Sequence, residues 1–109
     1  MDVFRKAYPL EKAKKIVSVR PVRTSSRVLR YLRQKLGPEL ETDNQLTRFI
    51  AAIIHSLEEA DYYKTIRKPR MLPADVYYRQ YQDEVWYIKF SIDEDELLIH
   101  TCTIDGDFH

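Results

Sequence analysis

The chain has 109 residues, with 18 Lys or Arg against 17 Asp or Glu and a single cysteine. That length suits one domain, residues 1–109, around one core. An apolar content of 44% with eight Tyr argues against intrinsic disorder. Cys102 has no cysteine partner, so an internal disulfide is excluded. No apolar run approaches the roughly 20 residues that span a bilayer. The start, Met1-Asp2-Val3-Phe4-Arg5-Lys6, lacks the apolar stretch of a secretion signal. The expected location is the cytoplasm, with no membrane partner.

Charge is unevenly spread. Residues 1–36 hold eleven Lys/Arg and two Asp/Glu, whereas residues 37–109 hold seven and fifteen. Such asymmetry marks either a half suited to a polyanion or a set of solvated basic helix faces.

A first helix is expected from about Pro9 to Val17, since proline fits a first turn and Leu10, Ala13 and Val17 share a face. Pro21 breaks the chain beyond it. A second helix begins after a Thr24 or Ser25 cap, carries the stripe Val28, Leu29, Leu32 and Leu36, and stops at Gly37-Pro38. Arg23, Arg27, Arg30, Arg33 and Lys35 lie on or beside its exposed side. A third starts with Asp43 as N-cap, and Leu46, Phe49, Ile50, Ile53, Ile54 and Leu57 recur at helical spacing as a wide buried face. His55, near its end, suits a surface position. Tyr62–Ile66 then leads into the loop Arg67-Lys68-Pro69-Arg70, closed by Pro73. Three strands come next, at Asp75–Tyr81, Glu84–Ile92 and Leu97–Thr103, joined by Gln82-Asp83 and by Asp93-Glu94-Asp95-Glu96. The class is α+β, with N-terminal helices packed on a C-terminal antiparallel β-meander.

Alternation along the central strand sends Trp86, Ile88, Phe90 and Ile92 to the core, and Val85, Tyr87, Lys89 and Ser91 to the other side. On the preceding strand Asp75, Tyr77, Arg79 and Tyr81 share a parity. The expectation is that Tyr77, Arg79, Tyr87 and Lys89 share one open face. If Leu97 and Ile99 face the core, His100 joins that face.

Catalytic constellations of other kinds are absent from the pattern. His55, His100 and His109 form no close ligand motif, so no metal or cofactor is expected. Cys102, inside an apolar strand, reads as packing. With only two glycines there is no phosphate loop of the glycine-rich kind. What remains is cations and phenols acting on phosphate. Tyr stacks bases or donates to phosphate. RNA carries its own nucleophile, the 2′-hydroxyl, so a ribonuclease needs only groups that move protons and cations that hold the phosphate in line.

Three stretches give these residues a family resemblance. Leu10-Glu11-Lys12-Ala13-Lys14-Lys15-Ile16-Val17 followed by Val22-Arg23-Thr24-Ser25 is similar to LxxxKKLV…VRTT. Leu57 with Asp61-Tyr62-Tyr63-Lys64-Thr65-Ile66 is similar to LxxxDFYKSM. Asp75-Val76-Tyr77 and Val85-Trp86-Tyr87-Ile88-Lys89-Phe90 are similar to QDVY and VYLKIT. In that order and spacing the chain resembles the MqsR family of type II toxin–antitoxin toxins, over nearly its whole length. The resemblance implies a RelE-like fold and a ribosome-independent mRNA interferase. Its substrate would be single-stranded mRNA, and a cognate antitoxin would be its protein partner. It also implies active-site roles for Lys64, Tyr87 and, two residues on, Lys89. Two positions depart from the family pattern: Ala74 stands where the family has glutamine, and Thr103 where it has a lysine.

The resulting candidate site has Lys64, Tyr87 and Lys89 polarising the phosphate, Arg79 adding charge and His100 moving a proton. Arg23, Arg27, Arg30, Tyr77, Arg67 and Lys68 would contact RNA. The catalytic reading requires Lys64, Arg79, Tyr87 and Lys89 to converge. The alternative is a non-catalytic nucleic-acid- or protein-binding module of the same fold, such as a small phage or mobile-element inhibitor.

Overall fold

The computed structural model describes residues 2–40 and 42–107. In chain order it has β1 (Asp2–Val3), α1 (Leu10–Val19), β2 (Arg23–Thr24), α2 (Ser26–Leu36), α3 (Asp43–Ser56), β3 (Tyr62–Ile66), β4 (Ala74–Tyr81), β5 (Glu84–Asp93) and β6 (Glu96–Ile104). Short 3₁₀ turns lie at Gly37–Glu39 and Glu59–Asp61. The strands form one sheet of order β1-β3-β4-β5-β6-β2. All pairings are antiparallel except β2 beside β6. The α+β arrangement is the expected one, and the β4–β5–β6 meander matches the anticipated strands to within a residue or two. Strands β1, β2 and β3 extend it at both edges.

Local chemistry sets the helix ends. The Ser25 hydroxyl accepts the Val28 N–H at 3.3 Å and opens α2, which stops at Gly37 with φ 68°. The cap of α3 is Thr42 rather than Asp43. Thr42 Oγ1 accepts the Gln45 N–H at 3.1 Å, and Gln45 Oε1 accepts the Thr42 N–H at 3.0 Å, a reciprocal box. Asp43 moves into the first turn, where the helix dipole still favours its charge. In α1 the buried face is Leu10, Ala13 and Ile16, and Val17 sits at its margin.

The three helices cover one face of the sheet. Leu10, Ala13, Val28, Leu32, Ile50 and Ile53 pack on Tyr77, Trp86, Ile88, Phe90 and Leu97. Phe49 meets the Trp86 ring edge-on at 5.2 Å and the Tyr81 ring at 5.7 Å. Each fully buried aliphatic side chain, such as Ile50 or Ile53, contributes about 1.5–3 kcal/mol. No described helix is long and apolar enough to cross a membrane.

Two features of the sheet position the site. Both hairpin turns have two central residues at positive φ, Gln82 and Asp83 (50° and 68°) and Glu94 and Asp95 (47° and 67°). These are type I′ turns, whose twist matches the flanking strands and locks their register. In β6, Thr101 pairs with Lys89 while Ile99 pairs with Phe90, so His100 is the extra residue of a bulge. The bulge shifts the phase of β6, which is why Leu97, Ile99 and then Cys102 all reach the core.

Candidate functional site

The two-residue turn pairs Tyr81 with Glu84, and counting back pairs Arg79 with Trp86, Tyr78 with Tyr87 and Tyr77 with Ile88. Directly paired residues share a face. Tyr77 and Arg79 therefore lie on the helix side, and the expected open-face set is corrected. Tyr77 is fully buried, stacked on Phe90 at 5.6 Å. Burial raises the pKa of its phenol, with Asp75 adding to the effect. Arg79 reaches Glu58 at 3.2 Å and Asp61 at 3.3 Å, which neutralise it. Asp75 shares the parity of these residues and is wholly buried. Its carboxylate accepts the Ala7 N–H at 2.9 Å, the Tyr8 N–H at 3.0 Å and the Thr65 hydroxyl. It fastens the N-terminal segment to the sheet. The convergence demanded of Arg79 thus fails, and the signal in the sequence that points the other way is the two-residue turn.

Lys64, Tyr87, Lys89 and His100 do come together. Lys64, Val76, Lys89 and Thr101 pair in a row across β3, β4, β5 and β6, on the face away from the core helices. The next row holds Tyr78, Tyr87 and Thr103, and a bulge at the start of β3 brings Tyr63 beside them. The Tyr63, Tyr78 and Tyr87 rings meet edge to face at 5.3 Å each. Tyr63 is 48% exposed and Tyr87 only 7%, so the ladder runs from an open ring to a sheltered one. The Lys64 ammonium stands 5.4 Å from the Tyr63 ring centroid. Strand alternation alone misses Tyr63 and Tyr78, because the parity it favours for β4 is the opposite of the real one.

Two residues expected only to contact RNA complete the cluster. Helix α2 lies along the β6 edge, and Arg27 on it lines the same hollows as Lys89 and His100. The larger, about 510 Å³, is walled also by Ile66, Lys68, Met71, Leu72, Ala74 and Ile99. The smaller, about 330 Å³, reaches Tyr31 and Thr103. Thr103 Oγ1 is buried there without a hydrogen-bond partner in the protein. Lys89 is half-buried, and its pKa falls below the usual lysine value through desolvation, then through Lys68, Arg27 and Lys64. His100 is likewise pushed below the ordinary histidine value, first by burial and then by Lys89. Among the described residues, no carboxylate pairs with Arg27, Lys68 or Lys89. Only Lys89 is half-buried; Arg27 and Lys68 are exposed at the rim, and cations gathered around a partly desolvated ammonium favour an anion among them.

The other candidates lie apart. Arg23 donates to Glu96 at 2.7 Å on the outer edge. Arg30 is exposed on α2, one turn beyond Arg27, and Arg67 is exposed at the start of the β3–β4 loop. His55 is on the surface at the end of α3, as expected. Cys102 is buried, and desolvation raises its thiol pKa to about 12, which suits packing rather than chemistry. His109 lies outside the described residues. Among the described residues no cluster of His, Cys, Asp or Glu could hold a metal ion.

Residues 5–101 match a family model described as "Motility quorum-sensing regulator, toxin of MqsA". No curated protein matches the chain.

Proposed function

This chain belongs to the motility quorum-sensing regulator family and so is the toxin of a toxin–antitoxin system, and on that premise we propose that it is an mRNA interferase cleaving single-stranded RNA in its cationic cleft. The observation that carries this reading is the nest of Arg27, Lys64, Lys68 and Lys89 about a half-buried ammonium, with His100 at its side. Such a nest binds a phosphodiester and stabilises the extra negative charge of the transition state. The exposed Tyr63 ring offers a stacking surface for a base, and the apolar wall of the larger hollow shelters a sugar or base beside the phosphate.

The chemistry needs only the substrate and these side chains. His100, neutral because burial and Lys89 disfavour its charged form, takes the proton of the 2′-hydroxyl. The 2′ oxygen bonds to phosphorus and the bond from phosphorus to the 5′ oxygen breaks. The Lys89 ammonium, made more acidic by its neighbours, gives its proton to the leaving oxygen. The products are a 2′,3′-cyclic phosphate and a 5′-hydroxyl. Lys64 and Arg27 hold the phosphoryl oxygens, and Tyr87 supports the phosphate from the floor of the face. The four-residue convergence expected from the sequence is not met, because Arg79 lies on the helix side with Glu58 and Asp61; this scheme rests instead on Lys64, Tyr87 and Lys89, with Arg27 supplying the charge expected of Arg79.

The protein partner in this reading is the MqsA-type antitoxin, which silences the toxin by covering the cleft or by distorting it. The test is purified protein with single-stranded RNA in EDTA. Cleavage lost in Lys89→Met and His100→Gln supports the interferase. Tight RNA binding with no cleavage under any condition refutes it and leaves the binding module, the reading that Ala74 and Thr103 at their two positions would then favour.

A further inference from the structure

The hydrogen bonds behind His100 assign its protons. The Pro73 carbonyl, at the end of the β3–β4 loop, accepts the Ser91 hydroxyl at 2.6 Å and the Tyr8 hydroxyl at 2.8 Å. A carbonyl oxygen only accepts, so the single proton of Ser91 is committed to it. His100 Nε2 lies 2.8 Å from the same Ser91 oxygen. With the serine proton engaged, that contact requires Nε2–H to be the donor. Nδ1 has no hydrogen-bond partner among the described residues.

We infer that Ser91 is a positioning residue that holds the neutral His100 ring with its proton on Nε2, leaving Nδ1 as the nitrogen that accepts a proton in the cleft. The bulge makes this possible. It brings His100 to the cleft side while Ser91, fully buried on β5, stands behind it. The titratable groups that line the two hollows with the ring are Lys89 from β5, Arg27 and Tyr31 from α2, Lys68 from the β3–β4 loop and Cys102 from β6, and Tyr8 stands behind, against Ser91 and the Pro73 carbonyl. None is a carboxylate that could pull the proton to Nδ1. A histidine whose ring nitrogens were interchangeable would present the wrong one part of the time, so fixing the tautomer raises the fraction of productive encounters. The role in cleavage rests on the interferase reading, whereas the tautomer itself does not.

The test has two arms on the full chain. Nitrogen-15 NMR of the imidazole groups in the unliganded protein reads which nitrogen of His100 carries the proton. The expected result is Nε2–H, slowly exchanging, with that protection lost in Ser91→Ala and kept in Ser91→Thr. The second arm is the pH profile of RNA cleavage. Ser91→Ala should lower the plateau rate by on the order of tenfold, a part of what a general base supplies. It should also move the rising limb to lower pH, because an acceptor at Nε2 favours the imidazolium more than the neutral ring. Ser91→Thr should restore both. A proton on Nδ1 in the wild type overturns the inference without need of any variant. So does a rate loss in Ser91→Ala with an unmoved limb and unchanged exchange. If the wild type cleaves no RNA, the interferase reading fails alone, and the NMR arm still decides the role of Ser91.

Discussion

Replacing Lys89 by methionine keeps the stem of the side chain and deletes its charge, which makes it the sharpest probe of the cleft. Four cations, Arg27, Lys64, Lys68 and Lys89, interact around this point. For single-stranded nucleic acid the logarithm of affinity falls with the logarithm of salt by about 0.7 per neutralised phosphate. If each cation neutralises one phosphate, the wild-type slope is about −2.8 and the variant's about −2.1. Between about 50 and about 200 mM salt, affinity should then fall roughly 50-fold for the wild type and roughly 18-fold for Lys89→Met. The assay is fluorescence anisotropy with a 2′-O-methyl oligonucleotide, which binds but lacks the nucleophile. Arg23→Met is the control, because Arg23 lies on the outer edge and is already paired with Glu96. Equal slopes for wild type and Lys89→Met, or an equal change in Arg23→Met, would refute the assignment of the cleft as the phosphate site.

Cleavage should trace a bell in pH. It should rise as His100 loses its proton at a value below the ordinary 6.5, and fall as Lys89 loses its own at a value below the ordinary 10.5; a rising limb above pH 6.5 would exclude His100 as the base. Asp75→Ala leaves the Ala7 and Tyr8 N–H groups without their acceptor, whereas the Thr65 hydroxyl still reaches the Arg5 carbonyl at 3.0 Å. It should cost on the order of 2–6 kcal/mol in urea unfolding, at about 1–3 kcal/mol for each of the two stranded donors. Arg79→Met should leave RNA affinity unchanged within about twofold while lowering stability by about 1 kcal/mol or less, as expected for partly exposed ion pairs; a loss of RNA binding would return Arg79 to the site. Cys102 should resist alkylation in the native protein at pH 8 and react on unfolding, since its buried thiol stays protonated up to about pH 12.

Much of this site is legible in the chain, and the parts that are not share a cause. The phase of β5 is set by Trp86, Ile88, Phe90 and Ile92, because only one face of that strand can be buried. The phase of β4 is not set by its composition. Tyr77 and Tyr78 are the same residue type, and either can go inside, so hydrophobicity has no vote between them. Turn geometry settles it through the pairing of Tyr81 with Glu84. His100 reaches the cleft as anticipated, but through a bulge that lets Cys102 enter the core as well. No alternation rule contains an added residue.

The amino-acid pattern alone determined three amphipathic helices, a meander of three strands and the placing of Tyr87 with Lys89 on the side of β5 away from the core helices. Those are local properties, set by the repeat of 3.6 or two residues against a single buried face. Tertiary structure alone decided which cations gather there. Arg79 was withdrawn to Glu58 and Asp61 by the hairpin register. Lys64, which the family resemblance had put in the site, is brought there by β3, and Arg27, expected only to contact RNA, by a helix lying along the sheet edge. The physical reason is distance along the chain. Arg27 and Lys89 are brought together by strand pairing and helix packing, and no short-range periodicity encodes the meeting of residues so far apart.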